Sequence, residues 1–509
     1  MKQNFYITSP IYYVNDVPHI GHAYTSIACD VMARFRRLEG FDVRFLTGTD
    51  EHGQKVEKSA IARGLEPQEF CDQVSAKFQD LTQVLQLSND DFIRTTQERH
   101  KIGAQAVWKR LEKNGYIYKG VYEGWYAVRD EAFYSEDELV DGKAPSGAEV
   151  VWEKQESYFF KLSAFQDKLL ILYEAAPDFV LPVSKMNEVL AFVKGGLKDL
   201  SISRNSFSWG IQVPNDEKHI MYVWLDALTN YISALGFPDE NSALYQKFWC
   251  NTVNSPVHIV GKDILRFHAI YWPAFLMAAD LPLPHSIFAH GWWTNDGQKI
   301  SKSVGNVIDP LKELEWLKSM GCDDEMAVDY FKYFLMREVP FGNDGDYSRE
   351  RLVMRINSEL ANNIGNLAQR SLSMIYKNNN GEIVDIKGCD DFGLLKKSGA
   401  MQEKFTVKMN KFAYDEAIFE VINFSSLCNQ FINEKAPWSL KKEGREQEMN
   451  QILSIVANCL STIGTVLQPF LPNLSRKLLN ILQVDGKCGI MKNGHKIAEP
   501  KVIFLRLVE

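Results

Sequence analysis

The sequence predicts an α/β fold: a parallel-sheet domain split by a small mixed insertion and followed by a bundle of α-helices. Three observations predict it. Over residues 1 to about 115, β-branched and aromatic segments alternate with segments of helical periodicity, the pattern of a parallel α/β layer. From about 116 to 220 short aromatic segments alternate with Gly and charge, including 122–126 and 157–162, which reads as an insertion into the first fold. From 351 to 509 the sequence is helical, with Val353, Ile356, Leu360, Ile364 and Leu367 marking one apolar face.

In chain order, Phe5, Tyr6, Ile7, Thr8 and Ser9 suit a buried strand, and Ile27, Val31, Phe35 and Leu38 recur at helical spacing. Between them lies the turn Pro18, His19, Ile20, Gly21, His22. A helix that starts there is expected to aim unpaired backbone N–H groups at the turn and to favour an anion. Gly21 removes a side chain where a ligand would approach, and His19 and His22 add two imidazole donors. The alternative is a pair of capping or surface histidines. The second strand, 43–46, runs into the polar turn 47–53, at the strand end where ligands of open α/β sheets gather. Asp50 in that turn is a candidate for holding an ammonium group, or else a helix cap.

The α/β character returns over 221–310, at 220–224 and at 257–263, with Arg204 just before it. Ile264, His268 and Trp272 fall at i, i+4 and i+8 and share one helix face, a stripe that is more often core than ligand site. At 296–303 lies a glycine-containing loop with Lys299 and Lys302 three apart, able to follow a polyphosphate as its charge shifts. Residues 311–350 read as a linker or stem-contact region before the helical part.

Composition bounds the function. The chain has 509 residues, 45% hydrophobic and 24% charged, ordinary for a soluble protein of more than one domain. No apolar run reads as a membrane span, and the N-terminus carries no leader pattern, so a cytoplasmic protein is expected. The eight cysteines form no C-x-x-C pair, so neither a disulfide framework nor a thiolate zinc site is expected. The net charge of −8 argues against a generic nucleic-acid binder. Yet residues 351–509 hold 21 Lys and Arg against 16 Asp and Glu, so that part is the better place to meet a polyanion.

Taken together, His19-Ile20-Gly21-His22 and Lys299-Ile300-Ser301-Lys302-Ser303 resemble the two signature motifs of class I aminoacyl-tRNA synthetases. The contexts of Ile11, Tyr13, Asp50, Arg204, Trp224, Ala227, Tyr231, Ile264, His268 and Trp272 look like the amino-acid pocket of the methionyl-tRNA synthetase family. Asn366, Arg370 and Trp438 fall where that family reads the anticodon, although Trp438 after a proline also suits an interhelix wedge.

The resemblance covers essentially the whole chain and implies a Rossmann-type catalytic domain with a connective insertion and an anticodon-binding bundle. It implies activation of L-methionine by ATP with Mg²⁺ and transfer to tRNA(Met). His19, Gly21, His22, Lys299, Ser301 and Lys302 would meet ATP, with His19, His22, Lys299 and Lys302 catalytic. Two departures are visible. The stretch 124–131 lacks the cysteines of the family's zinc knuckle, and no further tRNA-binding or dimerising domain follows residue 509, so a zinc-free monomer is expected. Rival readings are a class I synthetase for another apolar amino acid, a catalytically silent tRNA-binding paralogue, and a nucleotidyltransferase that never meets tRNA. A separate editing domain of the first would not fit in about 100 residues.

Overall fold

A computed structural model describes residues 2–14, 17–129, 132–134, 136–295, 297–300, 306–389, 391–487 and 489–508. The chain forms two compact units. The first comprises Met1–Pro18, Arg36–Gln83 and Leu87–His290; the second comprises His19–Phe35, Val84–Gln86 and Gly291–Glu509.

The first unit is built on the expected parallel sheet. Strands β1 (Asn4–Tyr13), β2 (Asp42–Asp50) and β3 (Asp91–Arg94) lie side by side, and β1 also pairs in parallel with a strand far along the chain, Val257–Gly261. After β3 and the helix Glu98–Lys113 the chain leaves the sheet. Strands β4 (Ile117–Ala127), β5 (Ala132–Tyr134) and β6 (Val151–Phe160) are antiparallel, which accounts for the aromatic alternation of that stretch.

The insertion does not stay separate over the whole of 116–220. Within it, β7 (Val180–Leu181) returns to the parallel sheet as an edge strand, a two-residue element too short to carry a periodicity. Strand β8 (Leu200–Ser201) then joins β6, while β9 (Ser203–Arg204), β10 (Gln212–Val213) and β11 (Asp216–Met221) form a small antiparallel sheet. With β12 (Val257–Gly261) and β13 (Ser286–His290), the main sheet has the order β3-β2-β1-β12-β13-β7. The chain builds outward from β1 in both directions, so the carboxyl ends of β1 and β12 form the switch point at which such sheets take ligands. Tyr6, Leu46, Val260, Ile270 and Phe275 lie in the buried core of this unit.

The second unit contains most of the first helix, Ile20–Leu38, and the short strands β14 (Trp293–Asn295), β15 (Gln298–Lys299) and β16 (Gly345–Tyr347). The stretch 311–350, read as a linker, is folded here. Helices Pro310–Ser319 and Asp324–Arg337 fill much of it, and the second is buried from Met326 to Met336. Arg349–Arg355 is α-helical, Ile356–Gly365 widens into a π-helix, and Asn366–Asn379 resumes α geometry. Ile356, Leu360, Ile364 and Leu367 are buried as their spacing predicts.

The helix Glu446–Leu467 corrects the reading that no run is long enough for a membrane. By length and composition it would span one, but 89% of its apolar window is buried among other helices, as a core helix requires.

Candidate active site

The helix that starts at Ile20 carries the first motif in the second unit. The expectation of unpaired backbone N–H groups there is corrected by the structure. Ile20 N–H donates to the Ile308 carbonyl at 3.0 Å, Gly21 N–H to His19 Nδ1 at 3.0 Å, and His22 N–H to the His19 carbonyl at 3.0 Å. The donors of this turn are used inside the protein.

The two imidazoles are ordered by the same turn. His19 N–H donates to His22 Nδ1 at 3.0 Å, so in both rings Nδ1 accepts and the ring proton sits on Nε2. The rings lie 3.8 Å apart at 33°. Burial and the neighbouring His19 hold His22 well below the usual imidazole range, which keeps it neutral. A Cβ on Gly21 would stand 2.9 Å from His19 Cε1, so the space Gly21 leaves is taken by the folded-back His19 ring.

The same unit holds the base of the lysine loop. β14 and β15 form a hairpin whose Gly297, at φ +71°, donates its N–H to Asp346 Oδ1 at 2.9 Å. Tyr24, one turn along the first helix from Gly21, packs its ring 5.7 Å from Trp293 and 5.4 Å from Phe341. Together with the Ile20–Ile308 bond, this fixes the helix start beside the segments that flank the loop. Lys299 is described through its backbone, paired with Thr294; its side chain, Ser301 and Lys302 lie outside the described residues.

The first unit holds the candidate amino-acid pocket at the predicted strand ends. Parallel pairing sets Ile11 opposite Gly48 and Tyr13 opposite Asp50, and Asp50 is buried. Across the switch point, β12 ends at Gly261 and the chain turns through Ile264 into a π-helical segment, Phe267–Tyr271. His268 therefore has a defined role in hydrogen bonding. Its Nδ1 lies 3.0 Å from the Ile264 carbonyl, which only accepts, so Nδ1 carries the proton and Nε2 accepts from the Tyr231 hydroxyl at 2.7 Å. Burial lowers His268 to about 4 and keeps it neutral.

Trp224 stacks on Phe267 at 3.6 Å and 5° and stands edge-on to His268. Ala227 is buried beside it in sequence, and Tyr231 is held from behind by the Tyr6 hydroxyl, which donates to its carbonyl at 2.9 Å. Trp272, expected to enclose a ligand, is wholly buried, 6.1 Å from the Tyr231 ring and 6.2 Å from that of Trp249. Arg204 is buried, donates to Ser201 Oγ at 2.9 Å and to the Ser203 carbonyl at 2.7 Å, and lies over the rings of Tyr222 and Tyr126. It lines a small cavity with His52, Tyr126 and Tyr222.

In the helical part, Asn366 and Arg370 stand one turn apart on Asn366–Asn379. The Arg370 guanidinium lies 4.9 Å from the centre of the Trp438 ring and donates to Asn433 Oδ1 at 3.3 Å. Trp438 is 38% exposed.

Sequence reasoning missed several residues around these sites: Phe267, Tyr6, Asn433, and the buried set His52, His100 and Asp226. All but His100 stand within about five residues of positions it singled out, but their pairings join distant segments. Among the described residues no three His, Cys, Asp or Glu side chains gather as a metal site.

Comparison with known proteins agrees with this geometry. Residues 5–150 and 146–372 match the family described as tRNA synthetases class I (M), and residues 388–509 match the anticodon binding domain of methionyl tRNA ligase. The chain is 54% identical to the methionine–tRNA ligase of Rickettsia felis, over 99% of each chain. It is 48% identical to that of Brucella suis, over 100% of this chain and 99% of the relative. The Mycobacterium tuberculosis methionyl-tRNA synthetase in complex with methionyl-adenylate superposes with a TM-score of 0.93 at 43% identity, covering 99% of this chain and all of that one. With both signature motifs in one unit, a parallel sheet opening at its switch point and full-length relatives of one kind, the chain belongs to the methionyl-tRNA synthetase family of class I.

Proposed function

We propose that this chain joins L-methionine to tRNA(Met) in two steps, with methionyl-adenylate between them. The observation that carries the reading is the pair of imidazoles at the start of the first helix, each accepting a backbone N–H on Nδ1, with the helix start tied through Ile20 to the far flank of the lysine loop. Two imidazole N–H donors, with the ammonium groups of Lys299 and Lys302, suit a triphosphate whose charge moves from the α-phosphate to pyrophosphate.

In the first step a methionine carboxylate oxygen attacks the α-phosphorus of ATP, the new P–O bond forms, and the bond to pyrophosphate breaks in line. His19 and His22 donate to the phosphate oxygens, while Lys299 and Lys302 follow the departing pyrophosphate. Mg²⁺ arrives with the nucleotide as part of the substrate. Asp50 takes the α-ammonium, and Arg204 supplies the positive charge near the carboxylate or the acceptor. Trp224, Ala227, Tyr231, Ile264, His268 and Trp272, with Ile11 and Tyr13, surround the side chain. In the second step a ribose hydroxyl at the 3′ end of tRNA attacks the activated carbonyl and AMP leaves. Asn366, Arg370 and Trp438 read the anticodon, with the half-exposed indole able to stack on an unpaired base.

The protein is proposed to work in the cytoplasm as a monomer without structural zinc, since the stretch 124–131 offers no thiolate ligand. Light scattering and metal analysis test these two points. The reaction is tested by amino-acid-dependent exchange of pyrophosphate into ATP across the twenty amino acids without tRNA. Methionine alone is expected to support it. Exchange with another amino acid would discard the pocket, and no exchange would favour the silent binding protein.

A further inference from the structure

Among the buried charged clusters that the mechanism above does not use, one is centred on Asp226. Asp226 is fully buried, and each of its carboxylate oxygens meets an imidazole: His52 Nδ1 on Oδ2 at 2.6 Å and His100 Nε2 on Oδ1 at 2.6 Å. His100 is itself fully buried, and its Nδ1 lies 2.9 Å from Ser233 Oγ. Burial pushes the Asp226 carboxyl up, but the two imidazoles outweigh it and hold it below the usual carboxylate range, so the group is an anion. A carboxylate only accepts. His52 therefore carries a proton on Nδ1 and His100 one on Nε2, and both rings are locked in orientation.

The cluster sits where three segments meet. His52 is two residues beyond Asp50, on the loop that leaves β2. Asp226 lies between Trp224 and Ala227, and Ser233 is two residues beyond Tyr231. His100 stands on the helix Glu98–Lys113, which closes on Ser233 so tightly that a Cβ on Gly103 would come within 2.8 Å of Ser233 Cβ. Burying a carboxylate here instead of an apolar side chain costs stability that a plain core would not lose. The cost is explained if the exact spacing of these segments matters.

We propose that Asp226 is a positioning residue for methionine activation: by holding His52 and His100 at once, it fixes the Asp50 loop against the segment that carries Trp224, Ala227 and Tyr231. The pocket's two ends, one for the ammonium and one for the side chain, are thereby set at a fixed separation. The inference rests on the pocket reading given under Proposed function.

The test is Asp226→Asn in the full chain, read by pyrophosphate exchange. The amide keeps the shape but offers one acceptor and one N–H, so one imidazole must change tautomer or turn away. The methionine KM is expected to rise about tenfold or more, because small misplacements of reacting groups cost that much, with the ATP KM within about twofold. Asp226→Glu, which restores the carboxylate, is expected to recover part of the loss. Leu111→Ala, a core truncation on the same helix as His100, is the control for destabilisation alone. Should Leu111→Ala at equal thermal loss raise the methionine KM as much, or Asp226→Asn shift both KM values alike, the proposal is overturned. Asp50→Asn separates the two layers: if it leaves the methionine KM unchanged, the pocket reading fails; if it raises the KM while Asp226→Asn does not, only the positioning role fails.

Discussion

Lys332→Met would remove the buried partner of the helix that carries the two histidines. Lys332 Nζ lies 2.9 Å from Asp30 Oδ2, and both side chains are fully buried. Asp30 also accepts from Arg34 Nε at 2.8 Å, and Lys332 reaches the Gln86 carbonyl at 3.4 Å. Stripping one partner from a buried pair costs about 3–5 kcal/mol because the other charge stays behind. Arg34 remains on Asp30 and its side chain is 26% exposed, so the lower end of that range, about 3 kcal/mol, is expected. The double variant Lys332→Met with Asp30→Leu removes both charges and is expected to recover most of the loss, since apolar replacement of a buried pair is often neutral. Urea unfolding followed by tryptophan fluorescence gives the three free energies, and pyrophosphate exchange reports whether the helix start still works. Single variants that each cost under about 1 kcal/mol, or a double variant whose loss is the sum of the two, would refute the argument.

Lys302→Ala is expected to slow adenylate formation far more than it weakens methionine binding; equal losses, measured by single-turnover kinetics and equilibrium binding, would undo its assignment to pyrophosphate. Trp438→Ala is expected to spare amino-acid activation and to damage charging of tRNA, whereas lost activation would make it a structural wedge. Acid should loosen the pocket through His268. Its folded-state value of about 4 lies below the ordinary imidazole value, so the unfolded chain binds the proton first, and stability present above about pH 6.5 is lost as pH falls toward 4. The full loss is about 3 kcal/mol, and the difference between wild type and His268→Gln across that range of pH measures it.

Much of this architecture was legible because it is local. The strand 5–9, the polar turn after β2 and the apolar face through Ile356 and Leu367 each follow from a few adjacent residues. What stayed hidden depends on partners that sequence spacing does not reveal. Asp226 stands in a segment already singled out, but its imidazoles come from positions 174 and 126 residues away. Ile308 satisfies the Ile20 N–H from across the second unit, so the backbone donors that the turn was expected to leave unpaired are used inside the protein. The edge strand β7 has two residues, below any period, and the π-helical turns at 267–271 and 356–365 shift registers that an ideal 3.6-residue repeat would place elsewhere.

The first helix also has a history in time. Its Asp30 waits for Lys332, 302 residues later, and its Ala28 carbonyl waits for the Tyr414 hydroxyl, 386 residues later, which it meets at 2.9 Å. At a ribosomal speed of about 5–20 residues per second, the wait for Tyr414 lasts roughly 20–80 s. For that interval the segment bearing His19 and His22 is a nascent helix with an apolar face and a carboxylate destined for burial, and neither has its final partner. Slow translation through residues 291–414 would lengthen that exposure, and synthesis stopped at His290 would leave the helix without a core to join.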